Sequence, residues 1–272
     1  MSIVDNKTLD PNLVVGVNED LQPTKSRIMG SLSYTASFLG GCVSIGTFSM
    51  GSALIGTLTI AQAILAMTIG CLVIAIALVL IGNAGHKYGM PYVVQLRSSF
   101  GTTGVKIPGV LRGLPAIVWF GFQSWVGAGA INSCFKILWG FDNLPVVFGL
   151  FTLLQVGLAI KGFHGIKWLE NFSCVFIVAI LAYMLYVVKT KFAVDISASF
   201  ANVKGTWGMP FWAATTSFLG IYSTMIINAS DYSRNLKEDI RPVKTGSIYT
   251  IAILPVTLFM GLIGLLVTAA TG

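Results

Sequence analysis

Seven apolar runs dominate the chain, at about residues 28–50, 57–82, 108–135, 144–162, 169–188, 209–229 and 247–270. Each is about as long as the roughly 20 residues that cross a bilayer. In hydrocarbon every backbone N–H and C=O needs a partner inside the protein, so only helices and closed barrels can span. Barrel strands are short and alternate between apolar and polar residues, whereas these runs are long and continuous. The expected fold class is therefore an all-α polytopic membrane protein. Composition agrees: 55% of the 272 residues are hydrophobic and only 10% charged, against about 25% charged in soluble domains. Such a surface requires membrane lipid as part of its solvent.

The loops set the orientation. With the N-terminus in the cytoplasm, thirteen of the 17 basic residues fall inside, among them Lys87, Arg97, Arg112, Arg234 and Lys237. Only Lys136, Lys189, Lys191 and Lys204 fall outside. The positive-inside rule favours this arrangement, and the expected location is a multi-pass protein of the plasma membrane with a cytoplasmic N-terminus. It argues against a seven-span receptor, which usually places its N-terminus outside. The net charge of +7 is spread over loops facing anionic headgroups, with no basic and aromatic surface segment, so no nucleic-acid partner is expected. The first 27 residues are polar and the first apolar run is too long for a cleaved leader, so no signal peptide is read.

Enzyme chemistry finds little support. The sequence has no HExxH, no P-loop and no paired carboxylates within a run. His86 and His164 fall in predicted inner loops, where a loop or headgroup contact explains them. Cys42, Cys71, Cys134 and Cys174 sit inside apolar runs without metal-ligand spacing and read as small hydrophobic residues. No cofactor and no metal is expected on these grounds, and the chain is not read as an enzyme. Asp231, near Arg234 at the inner end of the sixth run, is explained equally by a helix-end ion pair and by a functional role.

Two runs look interrupted. The first contains Gly40, Gly41, Ser44 and Gly46; the sixth contains Gly220, followed by Tyr222, Ser223, Thr224 and Asn228. Glycine-interrupted helices at corresponding places in two halves point to a transporter binding site, and these runs are five apart, as a five-helix inverted repeat requires. Close helix packing explains glycines in such helices too. The third run places Trp119 and Gln123 four residues apart, on one helix face. An indole beside an amide suits a flat heterocycle, the ring stacking while the amide reads its edge. A hydrogen bond from Gln123 to a neighbouring helix fits the same spacing.

Several short motifs occur in order: Asn18-Glu19-Asp20-Leu21-Gln22-Pro23, Lys87-Tyr88-Gly89-Met90-Pro91, Arg97-Ser98-Ser99-Phe100-Gly101 in the loop between spans 2 and 3, Trp119-Phe120-Gly121-Phe122-Gln123, Asn143-Leu144-Pro145 and Ser230-Asp231-Tyr232-Ser233-Arg234. Through them the chain resembles nucleobase:cation symporter family 1, which carries purines, pyrimidines, allantoin and hydantoins. The resemblance implies a LeuT-like fold of two inverted five-helix repeats plus two helices. Residues 1–27 would be a cytoplasmic tail, 28–190 the complete first repeat in spans 1–5, and 191–272 the start of the second in spans 6 and 7. The family has twelve spans, and no charged or aromatic anchor follows Leu266, so the chain is expected to be truncated after its seventh span.

The resemblance also implies a site. Trp119 would stack on the substrate ring and Gln123 would hydrogen-bond its edge. Ser44 stands where a hydantoin carrier of the family has a glutamine lining the pocket. Tyr222 stands at a second stacking position, and Ile221 replaces a glycine beside it. The carbonyls of Gly40 and Val43 would hold the coupling cation, Na+ or H+, with further ligands on a span this chain lacks. The function so implied is symport of a nucleobase-like or hydantoin- or allantoin-like small heterocycle with a cation. The alternative is a non-transporting fragment, or one half of a split carrier completed by a second chain.

Overall fold

The computed structural model describes residues 21–24, 27–160, 163–240 and 242–271, without the side chains of 163–175, 178 and 242–244. Lys7, Lys25, Lys161, Arg241, the Asn18–Asp20 part of the first motif and the side chains of His164, Lys167, Cys174 and Lys244 lie outside the described residues. Among the described residues the regular structure is helical, joined by short turns and loops, apart from one isolated bridge between Met29 and Leu236.

The first span is broken. Helix α1 covers Ser31–Cys42 and α2 covers Ile45–Ser52, with Val43 and Ser44 extended between them. Ser44 makes the second start possible: its hydroxyl accepts from the Gly46 N–H at 3.1 Å, satisfying one orphan donor of α2. Helix α3 (Ile60–Tyr88) begins with a reciprocal capping box between Thr59 and Gln62 and ends at Gly89, which takes the left-handed conformation that glycine allows. The segment read as a loop between spans 2 and 3 is instead a helix, α4 (Tyr92–Gly104), interrupted at Gly101. Spans 3, 4 and 5 are α5 (Lys106–Trp139), α6 (Leu144–Ile160) and α7 (Phe163–Lys191).

A second unforeseen helix, α8 (Ala193–Ala201), follows. The sixth span is α9 (Met209–Ile227) with a short continuation α10 (Ala229–Ser233), and the seventh is α11 (Pro242–Thr271). The sixth span is interrupted, but not at Gly220. Helix α9 runs through that glycine, and the turn comes at Asn228. Three helices among the described residues are long and apolar enough to cross a membrane by length and composition: α3, α5 and Thr245–Thr271 of α11. Of the remaining spans, α6 is a shorter apolar helix and the first is split.

Spans 1, 2, 6 and 7 make one tight bundle. Helix α3 packs on α9, α10 and α11, while α1 and α2 lean on α11. Tyr34, Phe38 and Tyr249 fill one core, and Leu58, Met67 and Phe218 another. Glycine lets α2 and α11 touch backbone to backbone: a side chain at Gly51 would overlap the Gly261 carbonyl, and one at Gly264 the Phe48 carbonyl. Spans 3 and 4 pair beside this bundle. Ser124 donates to Gln155 Oε1 at 2.7 Å, and Asn132 donates to Asp142 at 2.8 Å while accepting from the Asn143 N–H at 3.0 Å. Helix α5 buries only Ser124, Ala128 and Asn132.

The end of the bundle at Arg27 is tied by polar contacts. Arg27 reaches the carbonyls of His86 and Leu236 and pairs with Glu238 at 3.1 Å. His86, expected in a loop, is instead buried in the last turn of α3, its Nε2 3.0 Å from the Lys237 carbonyl. Asp231 accepts from the Tyr92 N–H at 3.0 Å, at the start of α4, and Arg112 donates to Asn228 Oδ1 at 3.1 Å.

The α2–α11 contact gives a direct test. Gly264→Leu puts side-chain atoms into the Phe48 backbone and should cost at least about 1–3 kcal/mol of overpacking. Gly41→Ala, at a position with nothing within 4 Å, should leave thermal stability in detergent unchanged or raise it. Melting curves of the two variants check both expectations.

Candidate functional site

The break in span 1 organises the site. Three residues from three different spans converge on Gly46, in the first turn of α2. A methyl group built there would lie 2.8 Å from Trp119 Cη2, 3.1 Å from Ile221 Cδ1 and 3.3 Å from Ser44 Oγ. Span 3 therefore presents its indole to the break, and span 6 presents Ile221 to the same spot. Trp119 is 41% exposed, with Phe122 tilted against it at 5.6 Å between ring centres. Gln123 follows one turn later on the same face and is half-buried. No described residue hydrogen-bonds its amide, so the described helices do not use it as glue.

Tyr222 is placed differently from the sequence expectation. It is 3% exposed, and its hydroxyl donates to the Cys42 carbonyl at 3.2 Å and lies 2.9 Å from Thr257 Oγ1. Cys42 is the last residue of α1, so its carbonyl is one of those the break leaves without a helical partner. Tyr222 thus serves the backbone of the break and is no second stacking wall. The reason is geometric: successive helical residues point about 100° apart, and here Ile221 faces the indole while Tyr222 turns into the core.

Ser44 is at the site but occupied. It is 8% exposed, and its oxygen accepts from the Gly46 N–H. Its hydroxyl proton is left for a further acceptor. At the break itself, the Gly40 carbonyl accepts from the Val43 N–H at 3.2 Å. A carbonyl has a second lone pair, so this bond does not exhaust it. Among the described residues no group of three or more His, Cys, Asp and Glu side chains is arranged to hold a metal. Asp231 lies in α10, past the turn in span 6, at the α4 contact.

Of the residues the sequence pointed to, the structure brings Trp119, Ser44 and Ile221 to one spot, with Gln123 one turn from Trp119 along α5. Sequence reasoning missed the part played by Cys42 and Thr257. Thr257, one threonine in the apolar run of α11, gave no signal; a tyrosine next to a helix break, needing a partner for its hydroxyl, was the available clue to the other.

Comparison with known proteins settles the family. The sequence profile described as a permease for cytosine/purines, uracil, thiamine and allantoin matches residues 22–272. The chain belongs to this family. It is 28% identical over 225 residues to the hydantoin permease of Microbacterium maritypicum, covering 82% of this chain and 46% of that one. It is 28% identical over 255 residues to the allantoin permease of Bacillus subtilis, covering 85% of this chain and 51% of the relative. The chain therefore spans about half the length of the curated relatives it matches. Among solved structures, Mhp1, a nucleobase-cation-symport-1 family transporter in a closed conformation with bromovinylhydantoin bound, superposes with a TM-score of 0.86 at 25% identity, over 94% of this chain and 59% of that one. The inward-facing conformation of Mhp1 superposes less closely, with a TM-score of 0.79. The LeuT-like fold follows, with the five spans of one repeat and two of the next.

The reassignment of Tyr222 has a measurable consequence. Tyr222→Phe keeps the ring but leaves buried polar groups at Cys42 and Thr257 without their partner, and should cost about 1–3 kcal/mol of stability. Binding of a ring compound beside Trp119 should change less than twofold. Thermal unfolding and ligand titration of the same variant separate the two effects.

Proposed function

We propose that the chain is a secondary transporter subunit that carries a nucleobase-like, hydantoin-like or allantoin-like ring together with a cation. Such rings are planar and display N–H and C=O groups on their edges. The ring would stack on Trp119, with Ile221 as an apolar neighbour at the break. The Gln123 amide can both donate to a ring carbonyl and accept from a ring N–H. The Ser44 hydroxyl can donate once more. What carries the reading is the convergence of Trp119 and Ile221 on the broken first span, next to a glutamine amide that no described residue uses. Similarity to permeases of hydantoin and allantoin supports the substrate class.

Coupling would come from the break. Carbonyls freed from a helix coordinate small cations at such places, and Gly40 and Val43 supply them here, for Na+ or, through a protonated partner, H+. The first and sixth spans, each interrupted, would rock with their bundle against spans 3 and 4. The excess of basic residues in alternate loops favours a cytoplasmic N-terminus.

A second reading keeps the site but not the activity of this chain alone. Helix α5 exposes apolar side chains along most of its length, including Ile117, Val118 and Phe120. That surface fits lipid, and it fits further spans supplied by a second chain equally well.

Uptake decides between them. Cells expressing the 272 residues should accumulate radiolabelled allantoin, uracil or hydantoin, and Trp119→Ala or Gln123→Ala should cut that uptake at least tenfold. Uptake that persists in both variants contradicts the proposed site. No uptake by a chain shown to be inserted in the membrane favours the fragment or split carrier.

A further inference from the structure

The absence of a side chain at position 46 has a consequence for specificity. We infer that Gly46 is a positioning residue: by lacking a Cβ it seats the Trp119 indole against the broken span and so sets the width of the slot in which a ring would stack. The specificity part of this inference rests on the functional reading above; the seating of the indole does not.

The contacts argue it. A Cβ at position 46 would stand 2.8 Å from Trp119 Cη2. Carbon atoms rest about 3.5–4.0 Å apart, so an added methyl must displace something by about 1 Å. The other two neighbours give way easily. Ile221 Cδ1 at 3.1 Å is the tip of a flexible side chain, and Ser44 Oγ at 3.3 Å is within tolerance of its hydroxyl rotamer. Trp119 Cη2 is the leading edge of a rigid bicycle that moves only as a whole. On one side the indole is held by Phe122, and the residue is 41% exposed. The displacement therefore goes toward the open side, into the space a substrate ring would need. Helix geometry gives no other reason for glycine here, since Gly46 has ordinary helical angles and alanine is the better helix former by about 1 kcal/mol in water.

The site thus selects for thickness. With glycine at 46 the indole sits deep and admits a ring bearing a bulky substituent. With alanine it sits proud, and the slot narrows for such rings before it narrows for small flat ones such as uracil.

The test is a double-mutant cycle on the chain in detergent, using Gly46→Ala, Trp119→Phe and the two together. Phenylalanine lacks the atom that meets position 46. Gly46→Ala should lower the melting temperature when Trp119 is present, and leave it unchanged or raise it when residue 119 is phenylalanine. Additive effects would overturn the inference, whatever the chain binds. In parallel, titration with uracil and with a 5-substituted hydantoin should show Gly46→Ala weakening the bulky ligand about tenfold, the scale of one aromatic contact, and uracil at most twofold. Equal weakening of both ligands would overturn the size-selection part. If the unaltered chain binds neither ring, the functional reading fails, and the stability cycle still decides whether Gly46 seats the indole.

Discussion

Breaking a helix inside a membrane strands backbone groups where no water can reach them, and this constraint shapes the structure around Val43 and Ser44. An unpaired N–H or C=O in hydrocarbon costs several kcal/mol. Here the groups are met locally and from afar. Ser44 takes up the Gly46 N–H, the Gly40 carbonyl receives the Val43 N–H, and Tyr222 from span 6 donates to the Cys42 carbonyl. The last of these ties the two interrupted spans together, and Thr257 brings in span 7. The break is therefore tolerated because spans 1, 6 and 7 are packed closely enough to supply donors. The glycine contacts between α2 and α11 provide that closeness.

The same arrangement separates a well-packed body from a loosely covered one. Spans 1, 2, 6 and 7 share continuous cores, whereas spans 3 and 4 meet them through few contacts. The contacts that do cross are informative. Trp119 touches the broken span, Arg112 reaches Asn228 at the turn in span 6, and α4 docks on α10 through Asp231 and through Ser230 with Gln95. A binding site at the junction of two bodies is a physical requirement of alternating access, because only there can relative motion open and close it.

Much of this was legible in the sequence. The spans could be read because bilayer thickness fixes their length and lipid forbids charge within them. The break in span 1 could be read because Gly40, Gly41, Ser44 and Gly46 interrupt an otherwise apolar run. The turn in span 6 was misplaced at Gly220, since a glycine inside a helix signals only permission to bend; the turn falls at Asn228, where Arg112 meets the side chain. Helix α4 was missed because it is too polar to stand out from a loop, and α8 because its nine residues are far too few for a span. Tyr222 misled for a different reason: its position matched a stacking residue, but a buried hydroxyl must find a partner, and the broken helix offered one. His86 was likewise drawn inward by a carbonyl of the chain segment beyond α10.

The central claim is that a ring ligand stacks on the Trp119 indole, beside Ile221 and the broken span, and thiol protection tests it most directly. In a background with Cys134 and Cys174 replaced by serine, Ile221→Cys should react with a small maleimide, and saturating allantoin, uracil or hydantoin should slow that reaction at least tenfold for whichever ring binds. The same ligand should not slow labelling of Gly113→Cys, a position with nothing within 4 Å of an added side chain. Labelling of Ile221→Cys that is unaffected by a ligand shown to bind would place the ring elsewhere and contradict the account.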